Sequence, residues 1–305
     1  MKRIIVTGAT GAIGTALIQE MLNHEIEVLV FCRKNSKRIS QIPSHPLVTV
    51  KYCALDELGR IENDTNQKYD AFYHFAWEGT TGEARNDMYL QIQNVQYALD
   101  AVRAAKRFGC DMFIGAGSQA EYGRVNEALT PETPTFPENG YGMSKLCAGQ
   151  MTKLDAHKLG MKHLWVRILS VYGINDNPKS MVMSAVIQLK TGITPQLTKG
   201  EQIWDFLFSR DAAAALRLLG EKGIDGKTYV LGSGNGRQLK EYVNIIRDQV
   251  APNAVLNFGA IPYSQNQVMY LCADISQVTK DTGWIPQNSF ESGTEEIIRT
   301  LMAKK

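Results

Sequence analysis

The chain has 305 residues, of which 44% are hydrophobic and 21% are charged, which is typical of a globular protein with a sizeable core. Its 33 basic and 31 acidic residues almost cancel and form no long basic run, so we expect no nucleic-acid partner. No run of about 18 apolar residues occurs, so we also expect no membrane partner.

The first part of the chain alternates short β-branched runs with helical patterns. Strands are predicted at residues 3–6, 27–32, 48–53, 71–75, 112–115 and 163–167, and helices at 13–22, 91–108 and 141–159. This alternation predicts an α/β fold, a Rossmann doubly wound parallel sheet whose ligand crevice opens at the C-terminal ends of its strands. We therefore expect residues 1–177 to form a dinucleotide-binding domain.

The rest of the chain is less regular. Helices are predicted at 181–189, 211–219, 239–250 and 294–302, and strands at 203–208 and 228–231. We expect residues 178–305 to form mainly a smaller C-terminal α/β substrate lobe, with a return to the first domain over about 203–232. No long linker separates the two parts.

Three glycines lie three residues apart between the first strand and the first helix, at Gly8, Gly11 and Gly14. In this context they allow the backbone to approach a pyrophosphate, whose charge is met by N–H groups at the helix N-terminus. A tight turn without a ligand is the alternative. The residues predicted to contact a cofactor here are Gly8, Thr10, Gly11, Ala12 and Ile13.

The end of the second strand bears on which dinucleotide binds. Sites for NAD usually place an acidic residue there, on the ribose diol, but residues 31–38 contain none. Arg33 is suited to a 2′-phosphate because its guanidinium can hydrogen-bond and stack at once. The sequence therefore favours NADP(H) over NAD(H), with a solvated basic loop as the alternative.

Tyr141 and Lys145 are one helical turn apart, downstream of Ser118. Residues i and i+4 share a helix face, so the ammonium of Lys145 is expected beside the phenol and to lower the pKa of Tyr141. A phenol, an ammonium and a hydroxyl are the groups needed to move a proton while a bound nicotinamide moves a hydride. An exposed helix pair is the alternative for Tyr141 and Lys145 alone.

Cysteine and histidine spacing bears on location and metals. The five cysteines are odd in number and form no Cys-x-x-Cys pair, which favours a reduced, cytoplasmic setting. The five histidines show no ligand spacing with one another or with cysteine, so no metal site is predicted. The apolar run at residues 4–6 is too short for a signal peptide.

Taken together, these motifs resemble the extended short-chain dehydrogenase/reductase family, the NAD-dependent epimerase/dehydratase group that acts on nucleotide sugars. The resemblance covers nearly the whole chain. It rests on Thr7-Gly8-x-x-Gly11-x-x-Gly14, His74-Phe75-Ala76, Asn94-Val95, Ser118 with Glu121-Tyr122-Gly123, Tyr141 with Lys145, Arg167 with Ser170-Val171-Tyr172-Gly173, Asp205-Phe206, Asp211 and Gly283-Trp284.

The resemblance implies roles for individual residues. Tyr141 would be the acid/base, Lys145 would hold the nicotinamide ribose and lower the pKa of Tyr141, and Ser118 would hydrogen-bond the substrate oxygen. It also implies a homodimer formed through the helices at 91–108 and 141–159. The remaining expected cofactor contacts are Leu55, Phe75, Ala76 and Ile168, together with Tyr141 and Lys145.

Two positions argue against one branch of the family. The 4,6-dehydratases carry acidic residues directly after the serine, where this chain has Gln119 and Ala120, which cannot transfer a proton. Glu121, one place further on, keeps dehydration open. Segments 200–206, 258–261 and 268–270 are similar to CDP-abequose synthase-like nucleotide-sugar 4-ketoreductases, which implies NADPH-dependent reduction of a 4-keto-6-deoxyhexose.

Substrate contacts are expected at Trp77, Gln119, Ser170 and Trp204. Relatives often clamp the substrate diphosphate with arginines where this chain has Trp204 and Ser264. Lys179, Lys190 or Arg210 would then have to replace them. The tryptophans are predicted to wall a stacked substrate, with ordinary core or rim packing as the alternative.

Two other functions share the same residues. A nucleotide-sugar 4-epimerase would oxidise and re-reduce its substrate on a tightly bound NAD. A non-catalytic NADP-binding regulator would keep the fold without turnover, because a fold alone does not fix a function.

Overall fold

The computed structural model of the chain describes residues 1–303. Its strands are β1 (Arg3–Thr7), β2 (Glu27–Cys32), β3 (Val48–Tyr52), β4 (Ala71–His74), β5 (Met112–Ser118), β6 (Lys162–Ile168), β7 (Ser170–Tyr172), β8 (Gln196–Leu197), β9 (Ile203–Trp204), β10 (Phe206–Phe208), β11 (Thr228–Leu231), β12 (Arg237–Gln238), β13 (Asn257–Phe258) and β14 (Tyr270–Leu271). Its helices are α1 (Ala12–Asn23), α2 (Met88–Arg107), α3 (Gly140–Lys158), α4 (Met181–Lys190), α5 (Ser209–Lys222), α6 (Leu239–Val250), α7 (Ser276–Thr282) and α8 (Phe290–Ala303).

Seven strands form one parallel sheet in the order β11-β6-β5-β4-β1-β2-β3. The chain runs outward from β1 in one direction through β2 and β3, and in the other through β4, β5 and β6. The strand order reverses beside β1, and ligands of such sheets bind at that point. The expected α/β Rossmann fold is confirmed, and the C-terminal ends of β1, β4 and β5 meet at one edge.

Both faces of this sheet are covered, which explains the continuous apolar runs in its strands. Successive side chains of β1 point to opposite faces: Ile4 and Val6 pack with α1 and α5, whereas Ile5 packs beneath α2. All three are fully buried.

A separate aromatic core joins α4, α6 and α8. Tyr242 and Phe290 lie with ring centres 4.5 Å apart, and Tyr172 and Phe206 close the same cluster. By contrast, β11 joins the large sheet and α5 packs on α1, although both come after residue 178. The division at residue 177 into a domain and a lobe stays a prediction.

The predicted strand at 203–208 is interrupted at Asp205. Residues before it pair with β12 and β14, and residues after it pair with β7. Asp205 is fully buried, and its carboxylate accepts hydrogen bonds from backbone N–H groups of Ser233, Gly234 and Ala273. A buried carboxylate needs such donors, so the chain turns there instead of continuing as one strand.

Other elements differ in extent. The last helix begins at Phe290, four residues before the predicted start, and α7 was not predicted at all. All five cysteines are free thiols, and only Cys147 is exposed. None of the helices among residues 1–303 has both the length and the apolarity that crossing a bilayer requires.

Candidate active site

Tyr141 lies in the first turn of α3, at the C-terminal edge of the large sheet. The helix begins there because the side chain of Asn139 accepts a hydrogen bond from N–H of Gly142, at 2.9 Å. Asn86, from a short 3₁₀ turn at Gly82–Asn86, accepts a second one from N–H of Gly140, at 3.1 Å. These two amide side chains fix the position of the phenol.

Ser118 ends β5, and its hydroxyl lies near enough to Tyr141 to act on the pKa of the phenol. Burial raises the pKa of the Tyr141 phenol, while the Ser118 hydroxyl and the charge of Arg85 act in the opposite direction. The net shift is upward, whereas the sequence predicted a lowered pKa, because desolvation of the phenolate outweighs the two favourable groups.

Lys145 is fully enclosed one turn further along α3. Its Nζ donates to the carbonyl oxygen of Ala116 at 2.6 Å and lies 3.8 Å from the centre of the Trp77 ring. The same nitrogen is 5.8 Å from the ring centre of Tyr141. Burial lowers the pKa of Lys145 to about 7, although Glu121 opposes the shift. The ammonium of Lys145 is therefore closer to the ring centre of Trp77 than to that of Tyr141.

Trp77, one of the expected substrate contacts, packs against Lys145 and Tyr141. Its indole Nε1 donates to Oε1 of Gln91 at 2.9 Å, and its ring meets that of Tyr141 edge-on, with centres 6.2 Å apart. One ring face carries the Lys145 ammonium. The indole is therefore part of the support of Lys145 and Tyr141, which the sequence did not predict.

Glu121 is a buried carboxylate surrounded by donors. It accepts from Nε1 of Trp165 at 3.0 Å, from Nε of Arg167 at 2.7 Å and from the backbone N–H of Ser118 at 2.8 Å. Its side chain is fully buried, and Arg167 is nearly so. A carboxylate with these partners holds the turn after β5 together, and donors of the protein itself occupy its oxygens.

The glycine loop matches the requirements of a phosphate cradle. Gly8 has φ +71°, and a Cβ there would lie 2.7 Å from the backbone nitrogen of Ala76. A Cβ on Gly14 would lie 2.4 Å from the carbonyl oxygen of Gly8, so α1 packs directly on the loop. Gly11 is different, because the only atom near its position for a Cβ is 3.7 Å away. Its open side leaves room for a ligand.

The first turn of α1 supplies donors for that ligand. Gly11 is the N-cap and provides no side chain to bond the N–H groups of Ala12 and Ile13. Unbonded N–H groups at a helix N-terminus bind anions such as a pyrophosphate. This part of the chain therefore fits a dinucleotide.

The other predicted cofactor contacts are distributed along the same edge. Phe75 and Ala76 follow β4 and touch the glycine loop, with N–H of Ala76 bonded to Oγ1 of Thr7 at 3.3 Å. Leu55 begins a half-buried 3₁₀ turn after β3, and Ile168 is buried at the end of β6. Arg33 is exposed just beyond β2, and within residues 1–303 its side chain makes no ion pair or hydrogen bond.

A cleft of about 600 Å³ opens between this edge and the aromatic core of α4, α6 and α8. Ser170 and Trp204, two of the expected substrate contacts, line it, and Nε1 of Trp204 donates to Oγ of Ser170 at 2.8 Å. Gln119 lies instead in a neighbouring polar pocket of about 270 Å³, with Arg85 and Asn139. The four expected substrate contacts thus fall into three places.

The basic residues considered for a diphosphate are mostly engaged elsewhere. Arg210 forms an ion pair with Glu296 at 2.5 Å, and Nζ of Lys190 donates to the carbonyl oxygen of Leu301 at 2.8 Å. Lys179 is exposed. Among residues 1–303, no group of three or more His, Cys, Asp or Glu side chains is placed to hold a metal ion.

Arg85 is the site residue that the sequence did not indicate. Its guanidinium carbon lies 4.4 Å from the centre of the Tyr141 ring, although the two residues are far apart in sequence. It lies in a turn with no recognisable motif, and only the packing of that turn against α3 brings it to the phenol.

A nucleotide-binding glycine loop beside a Ser-Tyr-Lys set at one sheet edge defines a dinucleotide-dependent oxidoreductase of the extended short-chain type. The chain belongs to the NAD dependent epimerase/dehydratase family, which matches residues 4–232. It is an enzyme of the group that comprises NAD(P)-dependent nucleotide-sugar epimerases, dehydratases and reductases. The predicted family membership is confirmed.

Individual relatives are distant but match from end to end. The chain is 25% identical to CDP-abequose synthase of Salmonella typhimurium over 98% of each chain. It is 24% identical to dTDP-glucose 4,6-dehydratase of Neisseria meningitidis serogroup B, covering 100% of this chain and 94% of that one. A UDP-N-acetylglucosamine 4-epimerase from Methanobrevibacter ruminantium has a TM-score of 0.89 at 20% identity, covering 100% and 99% of the two chains. That likeness shows the fold.

Proposed function

We propose that this enzyme reduces the 4-keto group of a nucleotide-linked 4-keto-6-deoxyhexose, with Tyr141 as the proton donor. Within the family, the hydrogen bonding of Glu121 is the observation that supports reduction over dehydration. Dehydration needs a second acid/base beside the serine, and Gln119 and Ala120 supply none. The carboxylate of Glu121, the nearest acid, is held by Trp165 and Arg167.

The chemistry follows from the placement of three side chains. When bound, the cofactor supplies the hydride that the carbonyl carbon takes up. Tyr141 gives its hydroxyl proton to the carbonyl oxygen, and Ser118 hydrogen-bonds the same oxygen while charge develops on it. Lys145 contributes a positive charge in a water-poor site. The Tyr141 phenolate is then re-protonated from solvent.

Residues at the sheet edge would hold the cofactor. The N–H groups at the start of α1 and the open side of Gly11 would take the pyrophosphate. Arg33 supports NADP(H) over NAD(H), because an exposed guanidinium with no partner in the described chain suits a 2′-phosphate. No acidic residue lies at the end of β2 to bond a ribose diol.

Turnover of the full chain with a panel of nucleotide-linked 4-keto-6-deoxysugars tests the proposal. We expect consumption of one NADPH per product, and a fall of about 10³-fold in kcat for Tyr141→Phe with cofactor affinity retained. Tyr89→Phe, at an exposed position of α2, is the control and should keep full activity.

Other outcomes would replace the proposal. A 4-epimerase would be indicated if the purified protein held NAD tightly and formed product without consuming any added cofactor. Cofactor binding without turnover of any sugar in the panel would indicate a regulator. Full activity of Tyr141→Phe would remove Tyr141 as the acid. The cytoplasmic location stays a prediction.

We also propose a homodimer formed through α2 and α3. Apolar side chains on the outer face of this helix pair are exposed in the isolated chain: Ile92 and Leu154 are each 64% exposed. Contiguous exposed apolar residues mark protein interfaces. In sedimentation experiments the wild type should be dimeric and Leu154→Glu monomeric. Val255→Glu, at an exposed apolar position remote from both helices, should stay dimeric.

A further inference from the structure

Arg85 lies over the face of the Tyr141 ring. The guanidinium carbon is 4.4 Å from the ring centre, within the range of a cation–π interaction. Lys145, which the sequence had suggested for this position, is 5.8 Å from that centre and lies on Trp77. Arg85 is therefore the cation nearest to the Tyr141 ring.

The position of Arg85 is fixed by the buried face of α2. The side-chain amide nitrogen of Gln91 donates to the carbonyl oxygens of Gly79 and Ala84, and Asn94 binds both backbone groups of Glu78. Gln91 and Asn94 are almost completely buried. The loop that carries Arg85 is thus tied to α2 on one side.

The same turn is tied to α3 on its other side. Asn86 accepts from N–H of Gly140, and a Cβ on Gly140 would lie 3.0 Å from the carbonyl oxygen of Arg85. The guanidinium itself donates to the carbonyl oxygen of Thr80 at 3.3 Å and forms no ion pair within residues 1–303. Its charge is therefore not neutralised by a carboxylate and acts on the ring.

We propose that Arg85 is a positioning residue that stabilises the ionised form of Tyr141 through the face of its ring, a role that rests on Tyr141 being the proton donor. A cation over a phenolate ring gains more than one over a neutral phenol, because the ring has become negatively charged. Arg85 thereby makes Tyr141 a stronger acid and eases transfer of its proton to the substrate oxygen.

Few charged groups surround Tyr141, and each shifts its pKa in a definite direction. Arg85 lies on the ring, and its charge lowers the pKa of Tyr141. Glu121, behind Ser118, raises it, and burial raises it most. Lys145 lies on the same helix, with Nζ 5.8 Å from the centre of the Tyr141 ring and 3.8 Å from that of Trp77. Removal of Arg85 leaves burial and Glu121, which raise the pKa of Tyr141, opposed only by the nearby Ser118 hydroxyl.

The direct test observes Tyr141 without any substrate. Carbon-13 at Cζ of tyrosine reports ionisation by NMR, and the signal of Tyr141 is the one missing from Tyr141→Phe. We expect Arg85→Gln and Arg85→Met to reduce the ionised fraction near about pH 10 by about tenfold, which corresponds to one pKa unit. Arg85→Lys keeps the charge and should stay within about threefold of the wild type.

Arg124→Gln is the matched control, because Arg124 lines the same polar pocket but is paired with Glu138 at 2.9 Å. It should leave the ionisation of Tyr141 unchanged. An unchanged signal in both Arg85→Gln and Arg85→Met, or an equal change in Arg124→Gln, would overturn the proposal.

The pH dependence of kcat gives a second readout. The alkaline limb assigned to Tyr141 should move upward by about one pH unit in Arg85→Gln and return toward the wild-type position in Arg85→Lys. If no nucleotide sugar is turned over, the proposed function fails while the NMR result still decides the role of Arg85.

Discussion

The ammonium nitrogen of Lys145 lies 3.8 Å from the centre of the Trp77 ring, and Nε1 of Trp77 in turn donates a 2.9 Å hydrogen bond to Gln91. The only hydrogen bond that the side chain of Lys145 makes among the described residues is to the carbonyl oxygen of Ala116. No carboxylate touches the ammonium, so burial lowers its pKa to about 7. The charged form of Lys145 therefore lowers the stability of the folded protein.

We expect Lys145→Met to stabilise the protein while abolishing its activity. The pKa of Lys145 is about 7 in the folded state against 10.5 for the unperturbed side chain. The unfolded chain thus binds more protons between these values, and native stability rises with pH across that window. Below this pH window Lys145 is charged in both states, and the folded state bears the full cost of burying that charge. Lys145→Met should therefore raise the free energy of unfolding by about 2 kcal/mol at about pH 6.

Denaturant unfolding at two pH values checks this. The gain from Lys145→Met should nearly vanish near about pH 10, where Lys145 is already neutral. Lys158→Met, an exposed lysine on the same helix, should change little at either pH. Equal gains at both pH values would contradict the expectation.

The Glu121–Arg167 pair should be essential to folding stability. Glu121→Gln removes a charge that faces the nearly buried guanidinium of Arg167 at 2.7 Å. Breaking a buried pair leaves one charge without a partner, and we expect a loss of about 3 kcal/mol in the free energy of unfolding.

Glu138→Gln provides the comparison for this pair. It breaks the Arg124–Glu138 pair, which has the same chemistry but lies at the surface, and should cost less than about 1 kcal/mol. Chemical denaturation of both variants measures the difference. Similar losses for the two would show that burial does not set the strength of the inner pair.

The glycine loop gives a prediction that separates folding from cofactor binding. Gly11→Ala places its Cβ in open space, with the nearest atom 3.7 Å away, and should leave the melting temperature of the free enzyme nearly unchanged. Cofactor affinity should nevertheless fall by about tenfold or more, because the methyl group occupies the approach of the pyrophosphate.

Gly14→Ala, by contrast, should destabilise the fold. Its Cβ would lie 2.4 Å from the carbonyl oxygen of Gly8, so α1 must shift. The free energy of unfolding should fall by about 1–3 kcal/mol, and the melting temperature should fall by several degrees. Calorimetric melting and titration with NADPH measure both quantities. Unchanged NADPH affinity in Gly11→Ala would argue that the phosphates bind elsewhere.

Arg33 should determine the choice of cofactor. Arg33→Ser is expected to weaken NADPH binding by about 10- to 100-fold and NADH binding by less than about threefold, because only the former carries the 2′-phosphate. Lys34→Ser removes a neighbouring exposed charge and serves as control. If Arg33→Ser weakened the binding of both cofactors equally, Arg33 would act by general electrostatic attraction and not by contact with a 2′-phosphate.

Local sequence patterns were sufficient for most of the large sheet. Strand β2 and helix α6 have the predicted bounds, because β-branched runs and a three-to-four-residue apolar repeat are properties of the segment itself. The split at Asp205 could not be predicted in this way. It depends on donors from Ser233, Gly234 and Ala273, which reach the carboxylate only after folding.

The candidate site also contains residues that local spacing could predict and residues that only the folded structure brings together. The glycine loop, Ser118, Tyr141 and Lys145 were predicted because fixed spacing within one or two elements carries their chemistry. The position of Arg85 and the contact between Trp77 and Lys145 were not predicted, because they join α2, α3 and the turn between β4 and α2.

The sequence by itself was sufficient to predict the parallel sheet, the glycine turn after its first strand and the spacing of Ser118, Tyr141 and Lys145, since each is encoded by short-range periodicity or spacing. Only the tertiary structure decided how these groups are charged. Burial lowers the pKa of Lys145 and raises that of Tyr141, and the nearest cation to the phenol is Arg85. Desolvation and through-space charge depend on what surrounds a group in three dimensions, and neither follows from the order of residues along the chain.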